Sequence, residues 1–189
     1  MEYDLVFVYL NIWDDDLTGA EHQLDCAYIR AYLEKIGYRT FQYINHSSSS
    51  YHDYVYDLVN LNVQKNIFFI NEYNYYISKI VINKIKLANP DLTIYIFGAS
   101  ASYVSSKLCD DLYFDVSINR HPHVALEKLC HAEKAEYPHI PNIAYRCDKS
   151  IVFTEKEEYV YSLDDLRRSA FDFYKEFYGI EIDVSLITR

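Results

Sequence analysis

Three short segments of this chain are apolar at consecutive positions instead of alternate ones: 4–10 (DLVFVYL), 66–71 (NIFFIN) and 92–97 (LTIYIF). A strand that faces water on one side alternates apolar with polar residues, so unbroken runs of this length mark strands covered on both faces. Between them the apolar spacing turns helical. Residues 19–36 place Leu24, Ala27, Tyr28, Ala31 and Ile36 on one face ahead of Gly37, and glycine there stops a helix. Ile77, Val81, Ile85 and Ala88 repeat in the same way before Asn89-Pro90, where the proline disfavours further helix. Two more strands are expected at 38–44 and 113–118, and further helices at 51–62, 104–109 and 121–131.

Strands alternating with helices give a parallel sheet with helices on both faces. Right-handed crossovers then make it α/β, doubly wound and mainly parallel, a five-stranded flavodoxin-like sheet with the first, third and fourth strands central. After Pro138 the pattern changes. Residues 143–146 and 151–154 flank Cys147-Asp148-Lys149-Ser150 as a small hairpin. A C-terminal connector at 161–166, a helix at 170–178 and a new apolar strand at 181–187 follow. The expected organisation is 1–135 as the sheet domain, 136–180 as hairpin and linker, and 181–189 as the first strand of a further unit.

Ligands of such sheets bind outside the carboxyl ends of the strands. The loops to watch are 11–19, 71–75, 98–103 and 119–123. The candidate binding residues on them are Asp14, Asp16, Thr18 and Gly19; Asn71, Tyr73 and Asn74; Gly98, Ser100 and Ser102; and Asn119. Asp14–Asp16 and Thr18 also read as a solvated helix cap. Asp14, Asp16, Thr18, Gly19 and Asp25 fall at calcium-loop positions one, three, five, six and twelve. A strand precedes them, however, and Glu21 stands where an apolar residue should anchor such a loop.

Composition removes other classes. Asp and Glu outnumber Lys and Arg by 28 to 18, a formal net charge of −10, and no basic stripe lies on an expected helix, which disfavours nucleic acid. Apolar runs are strand-length, so no membrane span is expected, and the N-terminus enters a strand without a basic leader. Cys26, Cys109, Cys130 and Cys147 show no metal-binding spacing, which suits a reducing cytoplasm. His121 and His123 flank Pro122 without a third ligand in view, and no nucleophile–base pair, P-loop or G-x-G-x-x-G occurs. No catalytic residue and no metal ligand is assigned. The 21 tyrosines supply half-buried surface and groove walls.

Three loops resemble, in order, the signature of cobalamin-binding domains of the methionine-synthase and mutase type. Asp14-Asp15-Asp16-Leu17-Thr18-Gly19 stands at the Asp-x-His-x-x-Gly position, with Asp16 in place of the cobalt-ligating His. A carboxylate is a harder ligand than imidazole and a poorer match for cobalt. Asn71-Glu72-Tyr73 stands at Ser-x-Leu and Gly98-Ala99 at Gly-Gly. The tail is similar to that of cobalamin-binding-domain radical S-adenosylmethionine enzymes: Ile140-Pro141-Asn142-Ile143-Ala144-Tyr145-Arg146, then Ser150–Thr154, then Leu163-Asp164-Asp165-Leu166. Val184–Arg189 resembles the strand that leads into Thr-x-Arg-Gly-Cys. Asn119-Arg120-His121-Pro122 replaces the usual Gly-Glu-x-Glu.

The resemblance implies cobalamin on the eleven candidate residues, no protein histidine below cobalt, and a partner barrel in the same polypeptide. That barrel would hold a [4Fe-4S] cluster and S-adenosylmethionine, and the whole would carry out methyl transfer or a related radical modification of a small molecule or peptide. The alternative is a cofactor-free Rossmann-like module serving substrate recognition or partner binding.

Overall fold

The structure is a computed structural model that describes residues 3–10, 16–44, 50–107 and 110–159, with the side chains of 16–25 and 44 left aside. Five parallel strands alternate with helices: β1 Leu5–Tyr9, α1 Asp16–Lys35, β2 Thr40–Ile44, α2 Tyr51–Asn60, β3 Lys65–Phe69, α3 Tyr75–Ala88, β4 Thr93–Phe97, α4 Ala101–Lys107, β5 Val116–Ile118 and α5 Pro122–His131. A 3-10 turn at Lys134–His139 leads to β6 Ile143–Cys147 and β7 Ser150–Phe153.

The sheet has seven strands in the order β2-β1-β3-β4-β5-β6-β7, which corrects the expected five. The first five are parallel and β1, β3 and β4 are interior. The hairpin is not an appendage. β6 runs antiparallel against the free edge of β5, pairing Ile118 with Ile143 and Val116 with Tyr145, and β7 pairs antiparallel to β6. Burial explains the capture: Ile143 and Ala144 are 1% and 0% exposed, so the apolar start of β6 needs the cover that the β5 edge provides.

Alternate residues of each strand feed two cores. Phe7, Tyr9, Ile67, Phe69, Tyr95 and Phe97 pack with Cys26, Ile29 and Leu33 of α1 and Leu126 and Leu129 of α5. Val6, Val8, Phe68, Ile94 and Ile96 pack with Leu58 of α2, Val81, Ile82 and Ile85 of α3, and Val104 of α4. Both faces are thus covered, as the unbroken apolar runs require. Two helix starts fall earlier than the apolar spacing suggests. α1 begins at Asp16 and α4 at Ala101, so Asp16, Thr18 and Gly19 lie in the first turn of a helix instead of a loop. The connector, helix and strand expected beyond 160 lie outside the described residues, as does Asp14.

Candidate functional site

The carboxyl edge of the sheet brings together the loops after β3, β4 and β5. The turn after β3 is built from two asparagines, 1% exposed each. Asn71 Oδ1 accepts from the main-chain N–H groups of Tyr73 and Asn74 at 3.0 and 2.9 Å. Asn74 Oδ1 accepts from the Asn71 N–H at 2.9 Å, and Asn74 Nδ2 donates to the Phe69 carbonyl at 2.9 Å. Short amide side chains suit this because they reach back to their own main chain. Both ends of the Asn74 amide are used. Asn71 Nδ2 makes no well-formed hydrogen bond among the described residues, with only the Tyr9 phenol near enough to feel it, an expensive state for a buried donor.

Beside it, burial holds the Tyr9 phenol above the ordinary tyrosine range, and the Asn71 amide pulls it back down. The rings of Tyr9, Phe69 and Phe97 close this flank: Phe69 stands edge-on to Tyr9 at 5.7 Å and to Phe97 at 5.2 Å.

Gly98 follows β4 with φ +114°. A Cβ there would stand 2.6 Å from the Ile70 carbonyl oxygen and 3.1 Å from both the Ile70 nitrogen and a ring carbon of Phe69. The space glycine leaves is therefore filled by the neighbouring strand end. Ser100 continues the contact, its N–H donating to the Ile70 carbonyl at 3.2 Å, while its own carbonyl accepts from Val104 N–H in α4. Ser102 and Ser117 both donate to Asn119 Oδ1 at 3.2 Å, which leaves the Asn119 Nδ2 unengaged among the described residues. Tyr73, Tyr76 and Tyr103 stand 56%, 75% and 60% exposed around this edge.

The β5 end is bounded by a feature that sequence reading missed. Asn142, with φ +64° and 3% exposure, donates Nδ2 to the Glu157 carbonyl at 2.8 Å and accepts on Oδ1 from the Glu157 N–H at 3.0 Å. Its main-chain carbonyl accepts from Asn119 N–H at 2.9 Å. Residues 155–159 are thereby strapped to the β5–α5 loop. Glu158 pairs with Arg120 and, at 3.3 Å, with His121, and the Tyr159 hydroxyl accepts from Lys128 at 3.0 Å. The signal in sequence was Pro141-Asn142, since asparagine tolerates the left-handed region that a turn after proline can require.

His123 is buried in the second position of α5, edge-on to Tyr32 at 5.3 Å. Burial, then the nearby His121, lowers its pKa, with Glu127 opposing. Among the described residues no cluster of His, Cys, Asp or Glu could hold a metal, and no helix is long and apolar enough to cross a membrane. A groove of about 400 Å³ along α3, lined by Asn83, Lys86, Leu87, Pro90 and Tyr113, lies away from the edge.

No protein-family model matches this chain, and no curated protein matches it in sequence. Solved structures do match. The radical S-adenosylmethionine methyltransferase TsrM from Kitasatospora setae, with tryptophan substrate and a SAM analog bound, superposes with a TM-score of 0.64 at 13% identity, over 82% of this chain and 30% of that one. The cobalamin-dependent S-adenosylmethionine radical enzyme OxsB, with aqua-cobalamin and S-adenosylmethionine bound, gives 0.61 at 12% identity, over 84% of this chain and 23% of that one. The OxsB structure with aqua-cobalamin alone gives 0.62 over the same shares. The chain therefore spans less than a third of the length of these neighbours. At such identity the likeness establishes the fold: an α/β, Rossmann-like sheet of the kind that forms one part of those enzymes.

Proposed function

We propose that this chain is the cobalamin-binding front module of a radical S-adenosylmethionine enzyme. In this reading 1–135 form the binding sheet, 136–180 the hairpin and linker, and 181–189 the first strand of a barrel carrying the cluster and S-adenosylmethionine. The observation that carries the proposal is the buried Asn71 Nδ2 at the carboxyl edge, which makes no well-formed hydrogen bond among the described residues and has the Tyr9 phenol beside it. A polar ligand with carbonyl or amide acceptors, such as the amide-rimmed corrin, would satisfy it.

The donors at hand fit such a ring laid across the edge: Asn71 Nδ2, Asn119 Nδ2 and the exposed phenols of Tyr73 and Tyr103, with the Ser102 hydroxyl holding the Asn119 amide in place. Thr18 and Gly19, in the first turn of α1, add main-chain N–H groups at a helix start. Asp14 and Asp16 complete the set carried by the resemblance. Gly98 and Ser100 contribute by holding the β3 and β4 ends together, and Asn74 by fixing the turn. When bound, the cofactor supplies group-transfer chemistry at cobalt, and the module orients it and shields one face from water. With Asp16 at the ligand position, no histidine is expected below the metal.

A cofactor-free module is the second reading, favoured by the way Ile70 and the Phe69 ring occupy the space around Gly98. Hydroxocobalamin separates the two. Mixed with the purified chain and desalted, it should stay with the protein near one equivalent and show a shifted visible spectrum. Asn71→Asp keeps the acceptor of the turn but removes the donor, so it should lose retention while its circular dichroism is unchanged. A protein fraction free of colour after desalting refutes cobalamin binding and leaves the second reading standing.

A further inference from the structure

The chain as a whole is acidic, with a formal net charge of −10, yet the segment after β5 is not. Residues 119–131 (NRHPHVALEKLCH) carry Arg120, Lys128 and three histidines against one carboxylate, Glu127. That carboxylate is engaged elsewhere, accepting the Tyr32 hydroxyl at 2.5 Å. The basic groups meet the strap instead. Arg120 Nη1 pairs with Glu158 Oε1, and His121 Nε2 stands 3.3 Å from Glu158 Oε2, so each carboxylate oxygen has its own base. Tyr159 lies alongside, edge-on to His121 at 5.4 Å, with Lys128 Nζ 5.4 Å from its ring centre and 3.0 Å from its hydroxyl.

Two features set this arrangement apart from an incidental surface ion pair. The carboxylate is delivered to its place: Asn142 grips the N–H and carbonyl of Glu157, one position earlier, at 3.0 and 2.8 Å. The second feature is His121 itself, with φ +47° and ψ 58° directly before Pro122. A residue with a side chain is uncommon in that region, and a following proline biases its predecessor toward extended backbone. Such conformations persist where the surroundings enforce them, and they gather at ligand clamps.

Glu158 is nevertheless displaceable. Its side chain is 73% exposed and that of Arg120 49%, and exposed pairs of this kind hold weakly. Another anion can reach the two bases from solvent while the main chain of the strap stays clamped. A monocarboxylate has no advantage over the tethered one, which acts at an effective concentration on the order of millimolar. A phosphate dianion does have one. It brings a second charge and a third oxygen, and the guanidinium fork matches two of its oxygens at once.

We infer that Arg120 and His121, with Lys128 on their flank, form a binding site for the phosphate monoester of a small molecule at the carboxyl end of β5, and that Glu158 occupies this site until the ligand displaces it. The position is the edge at which ligands of such sheets bind, and the site stands independently of cobalamin.

Titration of the chain with methyl phosphate, followed by ¹H–¹⁵N NMR at an ionic strength held constant with sodium chloride, tests it. The resonances of 119–124 and 157–159 should shift saturably, with a dissociation constant on the order of millimolar. Glu158→Gln keeps the shape of the strap and removes the competing charge, so it should tighten binding about three- to fivefold. Arg120→Gln should weaken it about tenfold. Dimethyl phosphate and acetate, each a monoanion, should bind about tenfold more weakly than methyl phosphate, and inorganic phosphate comparably to it. Both variants change exposed side chains, so circular dichroism should stay as in the wild type. No saturable shift in either the wild-type chain or Glu158→Gln overturns the inference. So does a Glu158→Gln chain that binds no more tightly than wild type, which leaves Glu158 a structural latch only. Dimethyl phosphate or acetate binding as tightly as methyl phosphate overturns the assignment to a monoester, and so does inorganic phosphate binding more than about tenfold tighter.

Discussion

Replacing Gly98 by alanine tests whether this glycine serves the packing of the sheet or the approach of a ligand. The added methyl would sit 2.6 Å from the Ile70 carbonyl oxygen, a main-chain atom fixed by its role in accepting the Ser100 N–H. The Ile70 nitrogen, at 3.1 Å from the same Cβ, donates to the Phe97 carbonyl and cannot retreat without breaking that bond. Crowding of this sort in a packed interior destabilises by about 1–3 kcal/mol. Holding a residue with a side chain at φ +114° adds about 1–3 kcal/mol of backbone strain. The sum, about 2–6 kcal/mol, is a large share of the roughly 5–15 kcal/mol that holds a domain folded. At about 2–4 °C per kcal/mol for a chain of this size, the midpoint should fall by roughly 4–24 °C.

Gly37→Ala is the internal control. Gly37 has φ +102°, yet nothing lies within 4 Å of its would-be Cβ. It should show the strain alone, about 1–2 kcal/mol once the lower entropy of the unfolded alanine chain is offset against it. Urea unfolding followed by circular dichroism measures both. If Gly98→Ala proves no worse than Gly37→Ala, the Ile70 contact is not what selects glycine, and the packing account fails.

Two further outcomes follow from the structure. Asn142→Ala removes both side-chain bonds to Glu157 and places alanine at φ +64°; it should destabilise by about 2–4 kcal/mol and speed hydrogen exchange at 155–159, whereas Asn142→Gly keeps the backbone and should lose about half as much. At high pH, burial first, then the Glu127 carboxylate, pushes the Tyr32 phenol up to about 12, and burial, then Cys130, does the same for Tyr38. Both phenols are held protonated in the native state, so their contribution is intact below the ordinary value near 10, and it is lost as pH rises through about 12. Ultraviolet tyrosinate titration should show late-ionising tyrosines whose ionisation coincides with loss of helical circular dichroism; one titration step near 10 with the fold intact would refute this.

The central strands were legible because their signal is local. Residues 4–10, 66–71 and 92–97 lack the polar alternation of a half-exposed strand, and β1, β3 and β4 all lie inside the sheet. The strand count was not legible. The sequence around Asp148, which takes φ +54° at the turn, specifies a hairpin, but which edge receives it depends on the free side of β5, far away in sequence. The start of α1 was hidden because Asp16–Gly19 reads as capping chemistry and is instead inside the helix. At the site, the glycine at 98 could be seen, but what fills its missing side chain is Ile70, a partner 28 positions earlier that periodicity cannot identify. Asn71 and Asn74 could be picked as loop polar residues, but only the turn geometry separates the amide that is fully used from the one with a donor to spare.

That distinction bears on how the hairpin and the site work together. β6 begins beside Ile118, at the carboxyl end of β5, so the chain must turn at Asn142 on the same edge where a ligand of the sheet would lie. The hairpin returns it there: Phe153 pairs with Ala144, and the strand past it is clamped by Asn142 at Glu157. From that point Glu158 and Tyr159 reach Arg120, His121 and Lys128, which belong to the loop and helix after β5. Had the hairpin been a free appendage, the chain could leave the domain in any direction. Built into the sheet, it brings Tyr159 back to the carboxyl edge and ties its position to Asn119, the residue that also collects the Ser102 and Ser117 hydroxyls. A ligand contacting Asn119 Nδ2 would therefore bear on the same short loop that holds residues 155–159. In the proposed two-part enzyme this gives the continuation of the chain a fixed origin at the cofactor's edge, which a module presenting a cofactor to the next domain requires.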